Sequence, residues 1–301
     1  MATKDPKQDE NTARAVASFK ANVNAALKRR FVFLLAGRTG TGKSSTVNTL
    51  MGQEVAPVGD YEPTTMSVES YHSALDGVKY EVVDTPGLCD DLEEAGNDER
   101  YLAEMRERAP SVDCLWYVSR LDETRVTGDE RRGIRLISKA FGPDIWDHAI
   151  IVFTFAGNVS PEKYSISLLK RAELIRHEIA SATGKSAEMI PAVAADNTSP
   201  TTPDGKPWLS ELYTQVLGRL SKGGGMPFFL ATASSLRPVG KKPPRIQLDA
   251  EQKERVKSIS AAIIPEFAIA GAVIGEIFGP AGAAIGAAAG AAVGFAAWLW
   301  G

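Results

Sequence analysis

Nine consecutive residues, Gly37, Arg38, Thr39, Gly40, Thr41, Gly42, Lys43, Ser44 and Ser45, have the types and spacing to hold a polyphosphate. They fit G-x-x-x-x-G-K-[ST], with Gly37, Gly42, Lys43 and Ser44 at the required places. Glycines let the chain wrap closely enough for successive N–H groups to point inward. A helix opening at the end of the loop adds partial positive charge. In such a loop Lys43 reaches the β- and γ-phosphates of a nucleoside triphosphate, and the Ser44 hydroxyl ligates Mg2+.

A site of this kind needs a second Mg2+ partner and a sensor of the γ-phosphate. YEVVDTPG offers both. Asp84 ends an apolar strand, where a carboxylate can hold a metal-bound water, and the Gly87 N–H can meet the γ-phosphate. Earlier, YEPTTMS offers Thr64 and Thr65, either of which could close on Mg2+ once a γ-phosphate is bound; Thr65 is preferred. The expected metal set is Ser44, Thr65 and Asp84. D-T-P-G is a GTPase spelling rather than an ATPase one, yet the base is not read in the ordinary way. IVFTFAGN, residues 151–158, stands where a GTPase usually carries Asn-Lys-x-Asp, and it has no carboxylate. Leu88 follows Gly87 where a glutamine would orient the attacking water, so hydrolysis is expected to be slow.

The elements that must position these residues alternate. FVFLLAG, YEVVDTPG, CLWYVS, AIIVFTF and MIPAVAA read as strands. KSSTVNTLMG, GDERRGIRLISKAF, PEKYSISLLKRAELIRHEIASATG and WLSELYTQVLGRL read as helices, so the expected fold is α/β with a largely parallel sheet covered on both faces. An Ala-rich, charged helix precedes them and ends at LKRR. KGGGMPFF and RPVGKKPPR make residues 223–262 read as a linker ending in the polar run DAEQKERVKS. The expected organisation is an N-terminal helix over 1–30, a nucleotide-binding domain over 31–222, this linker, and a tail over 263–301.

The 301 residues carry a net charge of −3, which gives no electrostatic case for nucleic acid as a partner. Two cysteines, Cys89 and Cys114, cannot frame a disulfide scaffold. His72, His148 and His177 are scattered, so no metal site of protein ligands alone is expected. The N-terminus mixes acids and bases without an apolar core and is not a secretory signal.

Together these residues resemble the AIG/Toc-type GTPases, also called paraseptins, and among them the chloroplast outer-envelope import receptors. The phosphate loop with its helix, DCLWYVSRLDETRVTGDERRGIRLISKAFGPDIW, FTFAGNVSPE and AADNTSPTTPDGKPWLSELYTQVL carry the likeness, over about residues 20–220. It implies a three-layer P-loop GTPase domain with a six-stranded, mostly parallel sheet that binds GTP or GDP with Mg2+. It also implies that guanine is held by an acidic–Asn pair after the sixth strand, here Asp196 and Asn197, helped by a side chain at the position of Phe155. A carboxylate can accept from guanine's N1–H and N2–H2 donors, and an amide can meet O6. The import receptors often carry His at the Phe155 position, which leaves stacking and simple packing both open. The family pairs its G domains face to face across the nucleotides, and an arginine after RLD reaches the partner's phosphates. Arg125 has that place, as a dimer sensor in preference to an arginine finger, and joins Lys43 and Thr65 as a catalytic candidate.

Residues 277–300 hold no charge, which is long enough to cross a hydrocarbon core of about 30 Å as a helix. Glycines recur every four positions on either side of Pro280, a flat face suited to close packing in lipid. The tail is therefore expected to be a Gly/Ala-rich hydrophobic helical anchor, as one span or a hairpin; a soluble, self-associating hairpin is the alternative. Two functions fit. One is a membrane-tethered, cytosol-facing GTP switch or receptor that dimerises through its nucleotide face, in protein import at an organelle such as the chloroplast, with a protein cargo the sequence does not name. The other is an oligomerising scaffold GTPase at a membrane surface.

Overall fold

The computed structural model describes residues 6–57, 68–75, 77–85, 97–236, 243–263 and 299. Its strands are β1 (Arg30–Ala36), β2 (Glu69–Leu75), β3 (Val78–Thr85), β4 (Cys114–Arg120), β5 (Ala149–Thr154) and β6 (Ala192–Ala194). Its α-helices are α1 (Pro6–Lys28), α2 (Lys43–Met51), α3 (Asn97–Arg108), α4 (Gly128–Phe141), α5 (Pro161–Thr183), α6 (Trp208–Arg219), α7 (Gly225–Thr232) and α8 (Ala250–Ile263).

The strands form one six-stranded sheet in the order β2-β3-β1-β4-β5-β6. Pairing is parallel from β1 to β4, β4 to β5 and β5 to β6, so each connection must cross over a face, and the helices do so. Alternate side chains divide the faces. Val32, Leu34 and Ala36 of β1, Leu115 and Tyr117 of β4, and Ala149, Ile151 and Phe153 of β5 join one core with α3, α4 and α5. The intervening residues point the other way, toward α2 and α6, and there Phe33 meets Trp116 edge to face at 5.3 Å. This is the expected three-layer α/β arrangement. Cys114 is fully buried, and burial pushes its thiol up to about 12, so it is no nucleophile. Cys89 lies outside the described residues.

Two elements within residues 31–222 have no counterpart in the sequence reading. β2, ESYHSAL, is an edge strand with no fully buried position and hence no apolar run. α3 is densely charged, and among its described side chains Tyr101, Leu102 and Met105 are buried. A correction falls on residues 223–262. The stretch read as a linker contains α7, a 3-10 turn over Ala233–Leu236 and α8, with Phe228, Phe229, Leu230 and Ile246 buried. Its Gly and Pro clusters are breakers around a short apolar helix. They are not the composition of the whole segment.

Those helices belong to a compact unit drawn from residues 1–31, 73–80 and 222–301. Within it, the Phe31 and Phe228 rings lie 5.6 Å apart. Asp249 and Gln252 cap the start of α8 reciprocally, side chain to backbone, at 2.8 and 3.1 Å. The second unit, residues 32–72 and 81–221, carries most of the sheet and the residues discussed below. Among the described residues no helix is long and apolar enough to cross a membrane. The expected hydrophobic tail, 263–301, lies outside them apart from Ile263 and Leu299.

Candidate functional site

The loop after β1 turns sharply because Gly37 sits against β4. A Cβ there would stand 2.1 Å from the Val118 carbonyl oxygen, and the backbone has φ 151°. Only glycine lets the chain leave the sheet at this point. Arg38, Thr39 and Gly40 form the outer bend, with Thr39 and Gly40 exposed. The Thr41 hydroxyl donates to the Arg38 carbonyl at 2.8 Å. The Thr41 carbonyl accepts from the Thr154 hydroxyl at 2.6 Å, which pins the loop to the end of β5. Gly42 precedes α2. This helix has no side-chain cap and no acid in its first turn, so its N–H donors and dipole stand available to an anion. Ser45 lies within that first turn, half-buried.

Lys43 is buried, and its ammonium curls over the loop, donating to the carbonyls of Gly37 and Arg38, both at 3.1 Å. Asp84, at the end of β3, faces it with Oδ1 3.7 Å from Nζ. The Ser44 hydroxyl donates to Asp84 Oδ2 at a long 3.4 Å. Asp84 Oδ1 is buried with no hydrogen-bond partner. Burial pushes this carboxyl above the usual carboxylate range, against the opposing pull of Lys43. A buried carboxylate with one orphaned oxygen beside a hydroxyl and a lysine fits a hard divalent cation next to a phosphate: a dication would hold Asp84 ionised and take up the unmade bond. The neighbouring Thr85 hydroxyl, bonded to the Leu35 carbonyl at 2.9 Å, fixes β3 against β1 at this level. Among the described residues no cluster of three or more His, Cys, Asp or Glu could hold a metal by itself. Thr64, Thr65, Gly87 and Leu88 lie outside the described residues.

On the far side of the loop are the residues expected to meet a base. Asn197 donates to the Thr46 hydroxyl in α2 at 2.9 Å; the reverse contact, 3.3 Å, is the weaker, because Thr46 already donates to Gly42 at 2.8 Å. Asp196 is buried, and its Oδ1 accepts from the Thr198 N–H and hydroxyl at 2.9 and 2.7 Å. The β5 turn closes against it: Ala156 N–H bonds the Ala195 carbonyl at 3.2 Å. Phe155 is not a core residue. It is half-buried, with φ 55°, and is the one described non-glycine residue with positive φ. The Arg120 guanidinium lies over its ring, 3.9 Å from the centroid. Arg120 also grips Asp122 with two bonds, 2.9 and 2.7 Å, and holds that carboxyl below the usual carboxylate range.

Arg125 is exposed on the loop after β4, and its side chain has no partner among the described residues. Its carbonyl is held by Arg171 of α5 at 2.8 Å. Arg171 is a buried cation that the sequence reading passed over. The available signal was an arginine in line with Tyr164, Ala172, Ile175 and Ile179 on the apolar face of a long helix. Also missed were Thr154 and Thr46, short hydroxyls whose tie to the loop has no spacing signature.

Comparison with known proteins finds relatives of the chain and of its fold. The AIG1 family profile matches residues 31–185, more than half of the chain. The translocase of chloroplast 108 of Physcomitrium patens is 29% identical over 199 residues, which is 63% of this chain and 20% of that protein. The chain thus spans about a fifth of the length of the curated relatives it matches. Two crystal structures of Toc33 from Arabidopsis thaliana share the fold. The dimerization-deficient mutant has a TM-score of 0.55, and the complex with GDP and Mg2+ has 0.51. Each is 24% identical and covers 68% of this chain and 90% of the other.

Proposed function

The chain belongs to the AIG1 family, and from that premise we propose that it binds GTP with Mg2+ and hydrolyses it slowly, as a membrane-tethered switch or receptor whose G domains pair across their nucleotides. One observation carries the reading: Ser44, Lys43 and the orphaned Asp84 oxygen converge at the uncapped start of α2. In this site Lys43 turns from the loop carbonyls to the phosphates, and the first-turn N–H groups of α2 donate to the phosphate oxygens. Ser44 and Asp84 would hold Mg2+, which supplies neutralisation of the β- and γ-phosphate oxygens. Asp196 and Asn197 receive the guanine edge, and Phe155, backed by Arg120, walls that end. Leu88 follows Gly87 in the sequence where a glutamine would orient the attacking water, so the unaided rate is low. Arg125 reaches outward to the partner's nucleotide, where a guanidinium keeps its charge and grips two oxygens in a fixed fork. The relatives' names, translocases of chloroplast, support reading this work as part of chloroplast protein import, with the G domain facing the cytosol at an outer envelope and a protein as cargo.

Lys43→Ala and Ser44→Asn test the assignment. Each is expected to abolish tight binding of a fluorescent GTP analogue with Mg2+ while the circular-dichroism spectrum stays that of the parent. Retained tight binding in both would remove the phosphate loop from the mechanism.

A further inference from the structure

We propose that Arg171 is a positioning residue that ties the phosphate loop to the loop presenting Arg125, so that nucleotide occupancy is read out at the pairing face through Arg38, Glu123, Arg171 and Glu130. The inference rests on the GTP-dependent pairing proposed above and names the device behind it.

A buried guanidinium is costly unless its donors are met, and Arg171 is only 2% exposed. Nη2 donates to Glu130 Oε1 at 2.5 Å and to the Ser119 hydroxyl oxygen at 2.8 Å. It also reaches Glu123 Oε2 at 3.3 Å. Nη1 donates to the Arg125 carbonyl at 2.8 Å, and Nε reaches the Arg120 carbonyl at 3.4 Å. Glu130 balances the charge, but it and Ser119 take up only Nη2, and the Nη1 and Nε donors need partners of their own. The other three contacts all fall on residues 120–125, at both ends and the middle, so one side chain sets the shape of the loop that carries Arg125. Glu130 in turn closes the capping box of α4 with Thr127.

The other end of the chain of charges is the phosphate loop. Arg38 Nη1 donates to Glu123 Oε1 at 2.9 Å. The carbonyl of the same Arg38 accepts from Lys43 and from the Thr41 hydroxyl. Phosphate oxygens compete for the Lys43 ammonium, so nucleotide binding alters the bonds holding Arg38. From Arg38 the alternating charges run to Glu123, to Arg171 and to the backbone of Arg125. Glu123 is half-buried and lies outside the nucleotide-binding residues, which makes it the point where the relay can be cut without touching the site.

The full chain in mild detergent is compared by sedimentation velocity with GDP–Mg2+ and with a non-hydrolysable GTP analogue, for parent, Glu123→Gln, Arg171→Lys and the double variant. Glu123→Gln is expected to leave the monomer's nucleotide Kd unchanged and to weaken the nucleotide-dependent dimer about tenfold, and the double variant to be no worse than the poorer single one, since both cut one relay. A Glu123→Gln dimer as tight as the parent's, or single losses that simply add, would overturn the relay. So would loss of the monomer's own nucleotide affinity in parallel with the dimer. A parent that binds nucleotide yet never pairs would instead overturn the pairing reading itself, and the relay with it. If Arg171→Lys fails to fold, Glu123→Gln still decides.

Discussion

At the level of single residues, the proposed base end of the site depends on a glycine that no phosphate-loop pattern contains. A Cβ on Gly157 would stand 2.3 Å from Asp196 Oδ2. The carboxylate has little freedom to retreat, because Oδ1 is tied to two donors of Thr198. Gly157→Ala is therefore expected to turn Asp196 away from the guanine edge and to reduce the preference for GTP over ATP roughly tenfold, about one hydrogen bond's worth. Asp196→Ala with Asn197→Ala should erase that preference. Competition binding with GTP and ATP measures both. If Gly157→Ala discriminates as well as the parent does, Asp196 does not read the base. The sequence made the phosphate end legible, since glycines, lysine and serine at fixed spacing have one common use. It left the role of Phe155 open, because a left-handed backbone and an arginine lying on the ring arise from contacts across the chain.

Among the elements, legibility followed burial pattern. β1, β4 and β5 are buried almost throughout and announce themselves as apolar runs. β2 exposes or half-exposes every position, and α3 hides three apolar residues among charges, so neither rises above a loop in the sequence. The segment 223–262 misled in the other direction: glycines and prolines at both ends masked a buried helix. The difference is measurable. Phe228 is 1% exposed and packs on Phe31, so Phe228→Ala should cost about 3–5 kcal/mol in urea unfolding of the unit that holds it. A linker residue would cost nothing. An unchanged midpoint would return 223–236 to a tether.

For the molecule as a whole, two expectations concern what it joins. Arg125 is exposed and its backbone is held from behind, the disposition of a residue offered to a partner. Arg125→Ala should weaken GDP- and GTP-dependent dimers at micromolar concentration and leave monomer nucleotide affinity unaltered; an unaffected dimer by sedimentation would free Arg125 of that role. The last expectation concerns the membrane. Residues 277–300 carry no charge, and as a helix at about 1.5 Å per residue they exceed a hydrocarbon core of about 30 Å. Alanine and glycine are weakly apolar, so the drive into lipid comes from Ile277, Phe278, Ile285, Val293 and Phe295, with Trp298 and Trp300 suited to an interface. The glycine repeat then lets two such helices pack closely once inserted. Because α7 and α8 carry buried residues, the informative truncation falls after Ile263 and not at Lys222, where the sequence alone would cut. A chain ending at Ile263 should remain in the supernatant and bind GTP with the parent's affinity. The full chain should stay in the membrane pellet after carbonate extraction. Release of the full chain by carbonate would exclude a spanning tail and leave the self-associating hairpin, on which tethering would need another source.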